Sequence, residues 1–253
     1  MYKKILIYKT GSLGDLIVSL PVLNQIKDNY LNDNIYLLSN DNKSDKVLNA
    51  KEIFSGSKIF TEIFLYDKKN LKKSIIKLRS IGIDELYYIP SNKNIFQLVR
   101  DFIFFKFFCN ISKINYFPWS FKIRVNRIIN NNQEREYNRL LRSIEKNPIN
   151  DFRSKDWDFR YDLEKLKSLD TFQLSNSKYI IINTGGKNFE EKNIGLYNWL
   201  FILNLLIENF RIQIVFIGNQ QDFEYVENLK LNLNSKNINN LCGKLNFLQL
   251  YKI

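Results

Sequence analysis

The stretch KTGSLGDLIVSLPVL (residues 9–23) decides how this chain is read. It follows a short apolar run, KILIY (4–8), that has the length and composition of a buried strand. Leu16, Ile17, Leu20, Leu23 and Ile26 recur at helical spacing, which predicts a helix over 14–30. Gly11, Ser12 and Gly14 form the turn between strand and helix. The start of a helix offers unpaired N–H groups and the positive end of the dipole. In open α/β sheets ligands bind beyond the carboxyl ends of the strands. Asp15, at this junction, therefore has two readings: a carboxylate that acts on a ligand, or a helix cap. G-S-L-G lacks the G-x-G-x-x-G spacing of a dinucleotide site and is not a phosphate-binding P-loop.

Outward from this stretch, strands and helices alternate. NIYLLSN (34–40), FTEIFLYD (60–67) and ELYYIPS (85–91) read as strands, the last stopped by Pro90. LKKSIIKLRSIG (71–82) reads as an amphipathic helix ending at Gly82. IFQLVRDFIFFKFFCNI (95–111) reads as a core helix with a few snorkelling charges, the alternative being an interfacial patch that rests on a membrane. Residues 122–170 are polar and read as a connecting region, with a helical pattern in EREYNRLLRSI (134–144). The alternation then restarts with the strand KYIIINTGG (178–186), the helix LYNWLFILNLLIENF (196–210), the strand IQIVFIGN (212–219) and the helix FEYVENLKLNL (223–233). INNLCGKLNFLQLY (238–251) adds a short strand, a turn and the start of a helix. The expected class is α/β with parallel sheets in two lobes, residues 1–150 and 151–253.

Composition narrows the chemistry. Of 253 residues, 45% are hydrophobic and 15% aromatic, enough for a real core. Histidine is absent, which excludes Ser-His-Asp and Cys-His nucleophiles. Two distant cysteines make no disulfide framework, and without histidine no zinc site or other metal is expected. A general base must then be Asp, Glu, Lys or Tyr. No signal peptide and no apolar stretch of spanning length is visible, so the expected location is cytoplasmic. Net charge is +12, and residues 1–150 hold 25 Lys/Arg against 14 Asp/Glu, whereas 151–253 hold 13 against 12. A basic first lobe suits an anionic partner, although AT-rich coding would give the same lysines. The lysines are dispersed, so nucleic acid is not expected as the partner.

NTGGKNFEEKNIGLYNW (183–199) repeats the strand–turn–helix logic of the opening stretch. Backbone amides at Thr184 and Gly185 with a nearby lysine suit a diphosphate, or make an ordinary solvated loop. DWD (156–158) has the form of a metal-binding D-x-D and reads as a chance occurrence.

Taken in order, these stretches resemble glycosyltransferase family 9, the ADP-heptose:lipopolysaccharide heptosyltransferase family. KTGSLGDLIVSLPVL resembles its N-terminal strand–loop–helix, with Leu-Gly-Asp and the later Pro21. KNIGLYNWLFILNLL (192–206) resembles its Lys-Arg-Trp-Pro helix start, with Ile194 and Gly195 in place of Trp and Pro. IVFIGNQQD (214–222) and NNLCGKLNFLQL (239–250) resemble its glycine turn and its Leu-x-Gly-Lys-x-x-Leu. EREYNRLL (134–141) stands where members carry a comparable helix. The family's later Asp-[Ser/Thr]-Gly-x-x-His stretch has no counterpart among these residues, so the second lobe reads as C-terminally truncated.

The resemblance implies a GT-B fold of two Rossmann-like lobes facing a cleft, the first binding an acceptor and the second a nucleotide-sugar. It implies an inverting, metal-independent transfer of a heptose-like sugar, with no cofactor, to a lipopolysaccharide or other anionic surface glycolipid at the inner membrane face. Asp15 would be the general base, with Ser12 and Gly14 in the acceptor loop. Lys192, Thr184 and Gly185 would hold the diphosphate of an ADP-type donor. Asp222 would lie near the nucleoside and Leu245 near the base. The alternative is a non-catalytic remnant or nucleotide-sugar-binding module of the same fold.

Overall fold

The computed structural model describes residues 2–41, 48–66, 71–89, 93–120, 124–129, 131–144, 154–162, 164, 166, 178–184, 193–210, 212–233 and 235–253. The chain divides into two compact units, Met1–Lys165 and Leu166–Ile253.

In the first unit the order is β1 (Lys4–Tyr8), α1 (Leu13–Val18), α2 (Leu20–Asn29), β2 (Asn34–Asn40), α3 (Ala50–Ile53), β3 (Glu62–Tyr66), α4 (Leu71–Ile81), β4 (Glu85–Tyr88), α5 (Ile95–Ile103) and β5 (Lys113–Asn115). The five strands form one parallel sheet in the order β3-β2-β1-β4-β5. A parallel sheet is covered on both faces, so its central strands are apolar throughout. Ile5, Leu6 and Ile7 of β1 are completely buried. Leu6, Tyr8, Leu38, Leu86 and Tyr88 form one face and pack with Leu78 of α4 and Leu98 of α5. The alternate residues Ile5, Ile7, Ile35 and Leu37 are equally buried on the other face. Gly82 closes α4 with φ +70° and donates its N–H to the carbonyls of Leu78 and Arg79.

Three expectations change. The helix over 14–30 is two helices, broken at Ser19. Pro21 has no N–H for the carbonyl four residues back, and the Ser19 hydroxyl instead donates to the Leu16 carbonyl at 2.7 Å. The segment 95–111 is α-helical only to Ile103 and then widens into one π-helical turn, Phe104–Phe108. Its inner face joins the core through Leu98 and Phe105, but its outer face is not core: Phe96 is 82% exposed and Phe107 66%. The supposed connecting region is largely part of the first unit. A short hairpin of β6 (Ile128–Ile129) and β7 (Asn132–Gln133) leads into α6 (Glu136–Ile144), where Arg142 and Glu134 form a buried ion pair at 2.7 Å. Residues 156–162 also lie on this unit. Asn24 Nδ2 donates to the carbonyls of Asp156 and Asp158 at 2.9 and 2.8 Å, and Ser57 bridges to Tyr161. The contacts therefore divide the chain at 165/166, not at 150/151, and DWD serves as an attachment through its backbone.

The second unit runs β8 (Tyr179–Asn183), α7 (Leu196–Phe210), β9 (Gln213–Ile217), α8 (Phe223–Leu233), β10 (Ile238–Asn240) and α9 (Phe247–Lys252). Its three strands are parallel in the order β10-β9-β8, around a core that includes Leu203, Ile214, Phe216, Val226 and Leu229.

At the amino-terminal edge of the first sheet, Glu85 is buried and receives four donors. Lys3 and Lys113 approach its carboxylate at 2.8 Å each, Asn115 Nδ2 at 2.9 Å and Tyr30 OH at 3.1 Å. Burial alone raises its pKa, but the hydrogen bonds from Lys113, Lys3, Asn115 and Tyr30 outweigh it and bring the group to about 2. A carboxyl depressed in the folded state stabilises above its unfolded pKa, and that contribution is lost as pH falls toward 2. Glu85→Gln is expected to cost roughly 2 kcal/mol at pH 7, discounted for its half-exposed lysines, and almost nothing near pH 2. Denaturant melts at both pH values check this.

Candidate active site

The carboxyl edge of the first sheet is organised by the turn after β1. Strand order reverses at β1, with β2 on one side and β4 on the other, the topological switch where open α/β sheets take ligands. Ser12 is the N-cap of α1 and Asp15 its third residue. The Asp15 Oδ2 accepts from the Ser12 N–H at 2.7 Å and the Ser12 hydroxyl at 2.8 Å. The carboxylate thus does cap the helix, yet Asp15 is exposed and its Oδ1 takes no hydrogen bond among the described residues. Gly11 has φ +149°, and a β-carbon there would fall 2.7 Å from Asp15 Cγ. Only glycine lets the carboxylate fold back over this turn. Gly14 lies in the first turn of α1 with open space around it, so no packing contact demands its lack of a side chain.

Sequence reasoning missed three residues here. Asn40, at the end of β2, accepts the Gly11 N–H on Oδ1 at 2.8 Å and fixes the turn from a neighbouring strand. Its signal was a polar residue closing the apolar run YLLS. Lys9 follows β1 directly and is only 3% exposed. Burial lowers its pKa to about 8, against the opposing pull of the Asp15 and Glu136 carboxylates. Lys93, beyond β4, donates to Asp101 Oδ2 at 2.6 Å and to the Tyr8 hydroxyl at 2.8 Å. Asp101 also accepts from Tyr88 OH at 2.7 Å and from Arg100. Burial opposes its ionisation, but the hydrogen bonds from Lys93 and Arg100 prevail and hold its pKa below the ordinary value.

The carboxyl edge of the second sheet repeats the device. Asn219 caps a short 3-10 turn, and its N–H donates to Asp222 Oδ2 at 2.9 Å. A β-carbon on Gly218 would lie 2.5 Å from that same oxygen. GSLGD (11–15) and GNQQD (218–222) are thus one arrangement, glycine-x-x-x-aspartate, used twice. Unlike Asp15, Asp222 is buried. The turn after β10 packs onto this one. The Gly243 N–H donates to the Gly218 carbonyl at 2.9 Å, and a β-carbon on Gly243 would meet Gln220 Cα at 2.8 Å. Leu245 follows, half-buried, two residues before α9. The register pairs Asn183 with Ile217, so Thr184 comes next at the same edge as Gly218. Thr184 is 3% exposed and its hydroxyl has no partner among the described residues. Its carbonyl accepts from Asn193 Nδ2 at 3.1 Å. The structure therefore gathers Thr184, Asp222 and Leu245 at one sheet edge, and Ser12, Gly14 and Asp15 at the other sheet's edge. Gly185 and Lys192 lie outside the described residues.

No family model and no curated protein sequence matches the chain. Solved structures do. Escherichia coli ADP-heptose LPS heptosyltransferase II superposes with a TM-score of 0.63 at 15% identity, covering 98% of this chain and 75% of that one. A family 9 glycosyl transferase from Veillonella parvula gives 0.64 at 15% identity, with 99% and 72% covered. The fold is that of these glycosyltransferases. The E. coli heptosyltransferase WaaC with ADP gives 0.54 at 15% identity, with 94% and 74% covered. The GT-B class is thus established from the fold, and this chain spans about three quarters of the length of each GT-B relative. No helix among the described residues is long and apolar enough to cross a membrane.

A buried lysine whose folded pKa lies below its unfolded one costs stability at neutral pH, and the cost fades as pH rises from 8 toward 10.5. Lys9→Met is expected to stabilise the chain by roughly 2–3 kcal/mol at pH 7, with the gain shrinking by pH 10. Gly11→Ala is expected to destabilise by roughly 2 kcal/mol or more, because both the backbone angle and the Asp15 contact forbid a β-carbon. Thermal melts of both variants across pH 7–10 check these two outcomes.

Proposed function

We propose that the chain is a glycosyltransferase that moves a sugar from a nucleotide-sugar to the hydroxyl of an anionic glycolipid or polysaccharide acceptor. The observation that carries this reading is Asp15, an exposed carboxylate held by its own turn at the switch point of a GT-B-type sheet, with no partner for Oδ1 among the described residues. A general base must sit where an acceptor hydroxyl can reach it with a lone pair available. Capping through Oδ2 fixes the side chain's direction while leaving Oδ1 for that proton. The bare Gly14 beside it leaves room for an acceptor to approach the backbone.

In this reading Asp15 takes the proton from the acceptor hydroxyl as its oxygen bonds to the anomeric carbon. The bond from that carbon to the donor's diphosphate breaks, the diphosphate leaves with the electron pair, and the configuration inverts. Positive charge builds on the sugar ring in the transition state, and no step requires a metal. Lys192, with amides at Thr184 and Gly185, would offset the charge developing on the leaving diphosphate. Thr184 supports this, since a buried hydroxyl without a partner among the described residues is costly unless something bonds to it. Asp222, buried and committed to its own turn, would hold the loop beneath the nucleoside, and Leu245 would line the base. The resemblance favours an ADP-linked heptose and a lipopolysaccharide acceptor met on the cytoplasmic side of the inner membrane. The basic excess in residues 1–150 fits an anionic acceptor on the first unit.

Asp15→Asn keeps the cap's shape and removes the base. It is expected to lower transfer by about 10²-fold or more while leaving nucleotide-sugar binding within about twofold. Transfer is followed by release of nucleoside diphosphate, and binding by calorimetry. Undiminished turnover would remove Asp15 from the mechanism. If native chain neither binds a nucleotide-sugar nor releases diphosphate, the binding-module and enzyme readings both fail.

A further inference from the structure

We propose that the outer face of α4 and of the helix from Ile95 to Phe108 docks on an anionic lipid bilayer. These helices invert the usual pattern. A helix on a sheet normally turns its apolar stripe inward and polar residues outward. Here the inward stripe is present, through Leu98 and Phe105. The outward face is also apolar. At 100° per residue, Ile95, Phe96, Val99 and Ile103 fall within about 100° of arc, and all four are exposed. The π-turn extends the patch with Phe107 and Phe108, both more than half exposed. On α4, Leu71 and Ile76 are exposed as well. Arg79 of α4 ties the two segments together by donating to the Phe107 and Phe108 carbonyls at 3.2 and 2.7 Å. An exposed aromatic and aliphatic patch of this kind marks a binding face.

Charge selects the occupant. Residues 71–81 and 95–108 contain Lys72, Lys73, Lys77, Arg79, Arg100 and Lys106, against a single acid. That acid, Asp101, is buried and satisfied by Lys93, Tyr88 and Arg100. Lys77 is paired with the half-exposed Glu62, but cations still outnumber acids at this face, which opposes pairing with a second copy of it and favours an anionic partner. Aliphatic Ile95, Val99 and Ile103 offer nucleobases nothing to stack on, whereas acyl chains accept them equally with phenylalanine. A mostly apolar cavity of about 270 Å³ lies beside the same two helices, lined by Leu71, Phe104 and Phe105 together with Tyr66, Arg100 and Asp101. Phenylalanines in the acyl boundary and lysines at the headgroups are the arrangement of an interfacial amphipathic helix.

This inference deepens the membrane side of the proposed function and stands apart from its chemistry. The test is co-sedimentation of the full chain with phosphatidylcholine vesicles, with and without about one third phosphatidylglycerol, at two salt concentrations. Binding is expected to the anionic vesicles, to weaken with salt, and to fall about tenfold in the double variant Phe96→Ser/Phe107→Ser. Phe107→Trp reports insertion separately, by a blue shift of its emission on anionic vesicles alone. No binding to anionic vesicles, or binding indifferent to the phenylalanine change, overturns the proposal. So does self-association abolished by the double variant, or preference for single-stranded oligonucleotide over vesicles. Vesicle binding is read on Asp15→Asn as well. Retained binding with no transfer by the native chain counts against the transferase reading alone, and transfer without vesicle binding counts against this one alone.

Discussion

A carboxylate lying against a glycine closes the turn after β1, and the position of the site depends on that contact. The chain leaves the sheet centre at Tyr8 and must begin a helix within a few residues. The first N–H groups of that helix need acceptors. Asp15 supplies one by reaching back to the Ser12 N–H, and it can do so only because Gly11 has no side chain in the way. Asn40 then holds the Gly11 N–H from the next strand. The sheet and the helix start are thus locked to each other through three short contacts. The helix dipole, the bare Gly14 and the exposed carboxylate are all fixed at the end of the central strand, where the strand order leaves an opening.

The same contact recurs between Asp222 and Gly218, and comparing the two separates structure from function. Capping explains both aspartates equally well. Burial explains only Asp222, whose carboxylate lies in a turn closed over by the Gly243 loop. At Asp15 the acid is exposed while its Oδ2 takes the Ser12 N–H at the positive end of the helix dipole. Asp15 thus combines capping with an exposure that Asp222 lacks, and that exposure is what the proposed role as a base needs.

The strands were legible because both sheets are parallel and their buried members are unbroken apolar runs such as KILIY and QIVFI. The Gly82 stop was legible from one residue. What stayed hidden depended on partners distant in sequence or on polar residues doing apolar work. Asn40 acts on a turn 29 residues away. The break at Ser19 lay in Pro21, which was visible, but the strong apolar spacing on both sides of it reads as one helix. Arg139 and Arg142 are buried in α6. A helix whose inward positions are arginines has the periodicity of a solvated one, so this segment reads as a linker until Glu134 and Glu136 are seen to pair with it. At the site, the residue type and the turn could be read from GSLGD. The buried lysine beside it could not, because nothing in a local pattern says that Lys9 loses its water.

That lysine bears on how the positive charge of the first unit should be understood. A coding bias would scatter lysines over the surface without regard to place. Some of the cations instead have fixed places inside the fold. Lys93, Arg139 and Arg142 are held by Asp101, Glu136 and Glu134, and Lys9 is buried near Asp15 and Glu136. Ion pairs of this kind are neutral from a distance and attract nothing. Each acid they use is an acid removed from the surface account, so the cations left outside are less balanced than the composition suggests. On α4 no acid stands among Lys72, Lys73, Lys77 and Arg79 at all. Buried cations meet acids inside the fold, and on the two helices with exposed apolar residues the cations outnumber the acids, with Lys77 paired to Glu62 and Arg100 to Asp101.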